Sequence, residues 1–337
     1  MNPDTTALPP ETVEQVVRAA GRAPSVHNTQ PWRFTVVGDV VDVHADRSRQ
    51  LAVLDPAGRQ LHLSCGAALG HARISARALG IDADVTLLPD ATDADHLARM
   101  ILRPGAPATP EQRALADAIL LRSTHRGRFG STRVPLALLE QLRVTVDAEG
   151  AGLRSVVGPD DLVELTVLLA HADAEENRDP RYREELQRWA DLPGAPDVGI
   201  GSGVLDPTFV AGSSLSLRQF SAAPPDQTDD PPLPDHPDVV VLVTRGDQPG
   251  DWLIAGQALG ALLLTAASHG VLAQPLGQVT DTPGYRHRLA VSLGLSGVPQ
   301  LALRLGFPEQ TGTRTGRRRL GEVLDRPLPG RGENVGA

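Results

Sequence analysis

Residues 63–81, LSCGAALGHARISARALGI, lie over residues 253–271, LIAGQALGALLLTAASHGV, at an offset of 190 with no gap. Leu63/Leu253, Gly66/Gly256, Ala68/Ala258, Leu69/Leu259, Gly70/Gly260, Ala76/Ala266 and Gly80/Gly270 are identical. Ala-rich helices share letters through composition alone, but sharing Gly at the same three places points to an internal duplication. Both stretches read as helices of small residues that end at a Gly suited to a left-handed C-cap. Small residues at 66, 68 and 70, and again at 256, 258 and 260, let another backbone or a flat ring approach closely. Tight helix–helix packing would use each Gly equally well. The first helix carries Arg59, His62, His71, Arg73 and Arg77, so one side is expected to face solvent. The second is apolar almost all round from Leu259 to Ala267, as a helix at the centre of a core would be.

Working outward, the chain reads as two α+β halves. Residues 11–20 form an amphipathic helix with Val13, Val16 and Val17 on one face. Residues 33–37 and 40–45 form a hairpin turning at Gly38-Asp39, and 85–88 is a short strand. A helix begins at Thr109-Pro110 and runs to Arg122; 136–142 and 160–174 are helices. Strands are expected at 153–157, 239–244 and 301–305. Asp55-Pro56 looks like a helix N-cap. Residues 194–238 are dominated by Gly, Ser, Pro and Asp, and a loop that long is either a functional lid or disordered.

The chain has 337 residues and a formal net charge of −9, and all 32 of its basic residues are Arg. Without Lys there is no P-loop lysine and no Schiff-base lysine. An anion must therefore be held by Arg, His or backbone N–H groups. The same composition follows from a GC-rich genome whatever the function. The negative balance argues against nucleic acid as a partner. The single cysteine, Cys65, excludes an internal disulfide and multi-cysteine zinc sites, and it reads as a small buried residue. No basic start with an apolar run precedes the first helix, and residues 253–268 are too short to span a bilayer, so a cytoplasmic protein is expected.

Two clusters carry candidate chemistry. Residues 23–34, APSVHNTQPWRF, put Ser25, His27, Asn28, Thr29 and Gln30 into one turn. Such a turn either hydrogen-bonds a polar planar ligand or satisfies its own backbone. Residues 122–129, RSTHRGRF, offer forked guanidinium donors with hydroxyls between them, which is an anion-binding set or a solvated basic surface. Arg314 and the run Arg317-Arg318-Arg319 form a third basic cluster. The ten His residues show no HExxH and no spacing that demands a metal, and His62 and His71 read as surface or packing residues. GIGSGV at 199–204 lacks the third Gly and the strand–helix context of a dinucleotide fingerprint.

APSVHNTQPWRF, followed at this spacing by RSTHRGRF, AGQALGALLLTAASHGV and a C-terminal LALRLGFPE, resembles the FMN-dependent nitroreductase family. It is most similar to the Acg-like branch, in which two family folds are fused in one chain. The resemblance implies an α+β fold of mainly antiparallel sheets flanked by helices, duplicated as a pseudo-twofold fused dimer. Residues 1–108 would be the first half, and 109–337 the second with a lid insertion at 194–238. By resemblance, Pro24, Ser25, Asn28 and Gln30 line the isoalloxazine and ribityl chain. Arg122, Ser123, Thr124 and Arg126 match the phosphate-binding start, and Arg317 and Arg319 the C-terminal basic pair. Pro275, Leu276 and Gly277 match the segment whose backbone approaches flavin N5. Many relatives carry an acidic residue where this chain has Leu276. One FMN site per chain is expected, because the first half has no RSTHR counterpart.

The implied activity is transfer of electrons from NAD(P)H through flavin N5 to a small acceptor such as a nitroaromatic, a quinone or a specialised metabolite. No side chain is required as an obligatory acid or base. The alternative is an FMN storage or sequestration protein with little turnover. The expected partners are small molecules, with no nucleic acid, no membrane and no metal, and the chain is expected to be a monomer acting as a fused dimer.

Overall fold

The computed structural model describes residues 7–190, 197–200, 237–310 and 314–325; the expected lid at 194–238 lies almost wholly outside them. Two four-stranded antiparallel sheets account for all the strands among the described residues. The first is built from β1 (Trp32–Val37), β2 (Val40–Ala45), β3 (Ile81–Leu87) and β4 (His96–Pro104), in the order β1-β2-β4-β3. The second is built from β5 (Gly152–Val156), β6 (Asp238–Thr244), β7 (Leu272–Leu276) and β8 (Val298–Gly306), in the equivalent order β5-β6-β8-β7. Even an irregularity repeats. The β2–β4 register slips between Val43 and His44, and the β6–β8 register between Leu242 and Val243.

The described residues form ten α-helices. They are α1 (Pro10–Ala20), α2 (Arg59–Ala78), α3 (Pro110–Leu121), α4 (Leu136–Ala148), α5 (Pro159–Arg178), α6 (Pro180–Ala190), α7 (Pro249–Ser268), α8 (Gln278–Asp281), α9 (Pro283–Ser292) and α10 (Leu320–Val323). The repeated stretches are α2 and α7, and they pack on each other through their glycines. A Cβ on Gly66 would fall 2.3 Å from the Leu253 carbonyl oxygen, and one on Gly256 would fall 2.1 Å from that of Leu63. Those two contacts exchange under the 190-residue offset. Gly70 against Gln257 and Gly260 against Ala67 repeat the relation at 3.2 and 3.3 Å. The glycines thus serve close backbone approach, and the seam has the twofold relation a duplication predicts.

Several expectations need correction. The first repeat helix does not turn a side to solvent along its N-terminal part, because residues 59–72 are all buried. Its partner α7, α1 and the loop before it close over it, so Arg59, His62 and His71 are interior groups. His62 Nδ1 lies 2.6 Å from the Gly58 carbonyl, and its ring meets Trp252 edge-on. Asp55 is not the N-cap residue, which is Gly58; its carboxylate accepts from the backbone N–H groups of Gln60 and Leu61 instead. The strand expected at 85–88 runs from Ile81 to Leu87, and β4, β7, α6, α8, α9 and α10 have no counterpart among the expected elements. Helix α7 is long and apolar enough to cross a membrane, but 78% of its most apolar window is buried inside the protein.

The halves differ in what covers their sheets. One face of the first sheet packs on α1 and α2 through Val41, Val43, Leu97 and Met100; its other face is largely polar, exposed along β3 and buried at Asp42 and His96. The second sheet is covered on both sides. Val240, Leu242 and Leu303 face α4 and α7, while Val239, Val241 and Ala302 pack under α5, α8 and α9. After residue 314 the chain returns to the first sheet, where Leu324 bridges Phe34 in parallel and the Asp325 N–H donates to the Phe34 carbonyl at 3.0 Å.

Candidate active site

A cleft of about 790 Å³, measured out to its open mouth, lies between the halves. The first half supplies Pro24, Ser25, Val26 and His27 from the α1–β1 loop, and Gln60, Leu63 and Ser64 from α2. The second half supplies Leu259, Leu301, Gln274, Pro275, Gly277, Gln278 and Asp281. Leucines from both halves make apolar walls, and amides and hydroxyls edge them, as suits a flat ring with polar rim atoms.

Thr124 and Arg126 border this cleft and a second one of about 500 Å³, lined also by Arg22, Arg122, Ser123, Arg314, Thr315 and Arg317. Among the described residues, none of those lining the recess is a carboxylate. Burial, together with Arg317, Arg314 and Arg126, pulls the Arg122 guanidinium down to about 9. Burial pulls Arg126 to about 10, and burial with Arg22 and Arg126 does the same to Arg317. All three remain cationic at neutral pH. Arg122 Nε and NH1 and Arg317 Nε are buried without a hydrogen-bond partner. Buried donors of like charge facing one another are costly until an anion joins them. Beneath them His71 is driven down to about 3 by burial, Arg122 and Arg317, and so stays neutral.

The local fold explains this placement. Helix α3 stops at Leu121, and Arg122 leaves it in extended conformation. The following segment is fastened to the second sheet by a Thr124–Ala273 bridge and by the His125 N–H on the Ala273 carbonyl at 3.0 Å. Buried Arg304 on β8 donates to Gln274 Oε1 at 2.6 Å and to the Gly127 carbonyl at 2.9 Å, with its guanidinium over Phe129. One arginine thereby joins a cleft residue to the basic segment.

Of the residues expected in the site, Pro24, Ser25, Thr124, Arg126, Pro275 and Gly277 line the cleft, and Arg122, Ser123 and Arg317 line the recess. Four lie elsewhere. Leu276 is buried in the core beneath α5 and α9, so only its backbone follows the cleft edge. Arg319 is exposed at the start of α10, and Arg314 occupies the recess instead. Asn28 and Gln30 are buried but turn away from the cleft. Asn28 Nδ2 donates to the Gly199 and Gly316 carbonyls at 3.1 and 3.3 Å, and its Oδ1 accepts from Arg317 NH1 at 3.1 Å. Gln30 Nε2 donates to the Asp197 carbonyl at 2.7 Å, and its Oε1 accepts from the Arg318 N–H at 2.8 Å. These two amides fasten the C-terminal arm and residues 197–199 to the loop. They also hold a backbone in which His27, Asn28 and Gln30 have φ of 46°, 54° and 51°, conformations that persist only where surrounding contacts determine them. Gln60, Gln274, Gln278 and Asp281 carried no local signal in the sequence, because each is an ordinary polar residue until packing aims it.

The chain thus combines a duplicated antiparallel α+β fold with a cleft and a guanidinium recess between its halves. The chain belongs to the nitroreductase family. The family model described as nitroreductase matches residues 4–54, which contain the α1–β1 loop. The Acg protein of Mycobacterium tuberculosis H37Rv, named as a candidate NAD(P)H nitroreductase, is 31% identical over 329 residues, spanning 96% of this chain and 97% of that protein. Rv3131 of the same organism, named in the same way, is 31% identical over 322 residues, spanning 94% and 92%. Among solved structures, the FMN-dependent nitroreductase NfnB from Mycobacterium smegmatis in complex with NADPH is 16% identical, covering 63% of this chain and 96% of that one, with a TM-score of 0.40.

Proposed function

We propose that this chain is an FMN-dependent NAD(P)H oxidoreductase acting on a small acceptor such as a nitroaromatic, a quinone or a specialised metabolite. The observation that carries the reading is the recess of buried guanidinium groups, with unpartnered donors on Arg122 and Arg317, at the end of an apolar-walled cleft. A phosphate on a planar cofactor matches both parts. Arg122, Arg126 and Arg317 would hold that phosphate, with Ser123 and Thr124 as shorter donors. Pro24, Ser25, Leu63, Leu259 and Leu301 would enclose the ring. FMN supplies hydride and electron transfer when bound. The chain's part is to exclude water with the leucine walls, to orient the ring through Gln274 and Gln278, and to present the backbone of residues 275–277 along one edge.

The proposal includes one cofactor per chain and a division into halves at 108/109, a boundary that falls between β4 and α3. The C-terminal arm is then a return element, bringing Arg314 and Arg317 back from the second half to the loop of the first. The test is to saturate the purified chain with FMN and mix it anaerobically with NADH or NADPH. Bleaching of the flavin absorbance within minutes supports the oxidoreductase reading. Tight FMN binding without bleaching supports the storage reading instead, and failure to bind FMN overturns both.

A further inference from the structure

Outside the cleft, on the polar face of the first sheet, buried Asp42 and His96 and half-buried His44 bring one ligand atom each to within 4.8 Å of one another. His96 Nε2 lies 2.8 Å from Asp42 Oδ1, His44 Nε2 lies 3.2 Å from Thr35 Oγ1, and the two imidazoles stack at 4.8 Å. The register slip makes the group. Leu97 is the extra residue, so His96 rather than Leu97 stands opposite His44, and Leu97 and Ala98 both stay buried. Bulges re-aim side chains in this way. The second sheet carries the same slip with Gln300 as the extra residue, and the positions answering to Asp42, His44 and His96 are there Val241, Val243 and Pro299. The fold therefore requires the bulge but not the ligand-type side chains.

We infer that Asp42, His44 and His96 form a binding site for a divalent transition-metal ion, with zinc as the ion that suits two imidazoles and a carboxylate. Three protein ligands leave a fourth position for water, the arrangement of open zinc sites. Tetrahedral coordination places ligand atoms about 3.3 Å apart, so the set closes on an ion through side-chain adjustment alone. Arg99 is the built-in competitor: its Nε and NH2 fork both oxygens of Asp42 at 2.7 and 3.0 Å. Its side chain is 47% exposed and free to swing into solvent when a dication takes the carboxylate.

The test is equilibrium dialysis of the full chain against ZnCl2, with and without bound FMN. The expected result is one zinc per chain in either state. His44→Ala and His96→Gln should each weaken binding about tenfold or more, and Arg99→Gln should tighten it. His96→Gln keeps a side chain able to donate to Asp42, and unchanged circular dichroism of the zinc-free variants separates lost ligation from lost folding. Absence of saturable one-to-one uptake, or uptake unchanged in both histidine variants, overturns the assignment.

Discussion

The two halves share a strand order, a bulge position and a glycine seam, yet only one of the connections that lead from a helix into the first strand of each sheet lines the cleft. In the first half, residues 21–31 separate α1 from β1; in the second, residues 149–151 suffice between α4 and β5. The longer loop carries three non-glycine residues at positive φ and lines the cleft. Its counterpart is a tight turn in which a Cβ on Gly150 would lie 3.7 Å from Ile254 Cγ2. The helix positions facing these loops have diverged in step. Gln60 and Ser64, both cleft residues, correspond to Gly250 and Ile254 at the 190-residue offset. Duplication supplied the frame, and the connections decided where a ligand can enter.

The seam is what the halves have most in common, so breaking it gives the largest effect. Gly256→Val should destabilise the chain by about 3 kcal/mol or more, because the added atoms meet the backbone of α2 rather than a movable side chain; urea unfolding measures this. If the variant matches the parent in stability, the helices do not pack as described. The next effect tests the buried end of α2. Burial raises Asp55 to about 6 despite the Gln60 and Leu61 N–H groups. The folded state thus holds that proton more tightly than the unfolded chain, so stability is greatest below the ordinary carboxylate range and falls as pH rises through about 6. Relative to Asp55→Asn, the parent should lose about 2 kcal/mol between pH 4 and 7. A flat difference across that window would mean Asp55 is not buried as an acid.

Arg122→Ala should weaken FMN binding by roughly 1.5–3 kcal/mol, the worth of a charge-assisted contact, as read by fluorescence titration. Retention of parent affinity would remove Arg122 from the phosphate recess. The smallest effect is expected where the second half lacks the loop. Ile254→Ser restores the polar residue of position 64, but FMN stoichiometry should stay at one per chain, and a second equivalent bound would show that helix polarity alone makes a site.

Much of the frame was legible in the sequence. The matched glycines announced the duplication, the RSTHRGRF run supplied arginines that gather in one recess, and Cys65 is indeed a buried thiol, its ionisation suppressed by burial. Less legible was which way polar side chains turn. Asn28 and Gln30 sit in the motif beside Ser25, yet the positive φ values around them send their amides to the C-terminal arm. Arg319 and Arg314 are equally basic in the sequence, and only the path of that arm selects Arg314 for the recess. Arg59 and His71 looked like solvent-side residues because helical periodicity cannot say that a neighbouring helix covers the polar face.

Residue types along the chain already dictate the doubled architecture and the kinds of chemistry on offer, since close backbone approach needs glycine and a chain without lysine must use arginine for its cations. Folding alone brings His96 to His44 across a bulge although they are 52 residues apart, turns Gln274 and Asp281 toward Pro24, and gathers three arginines in one recess. Those juxtapositions depend on register and on the packing of the two halves, which act between residues distant in the chain and leave no local pattern.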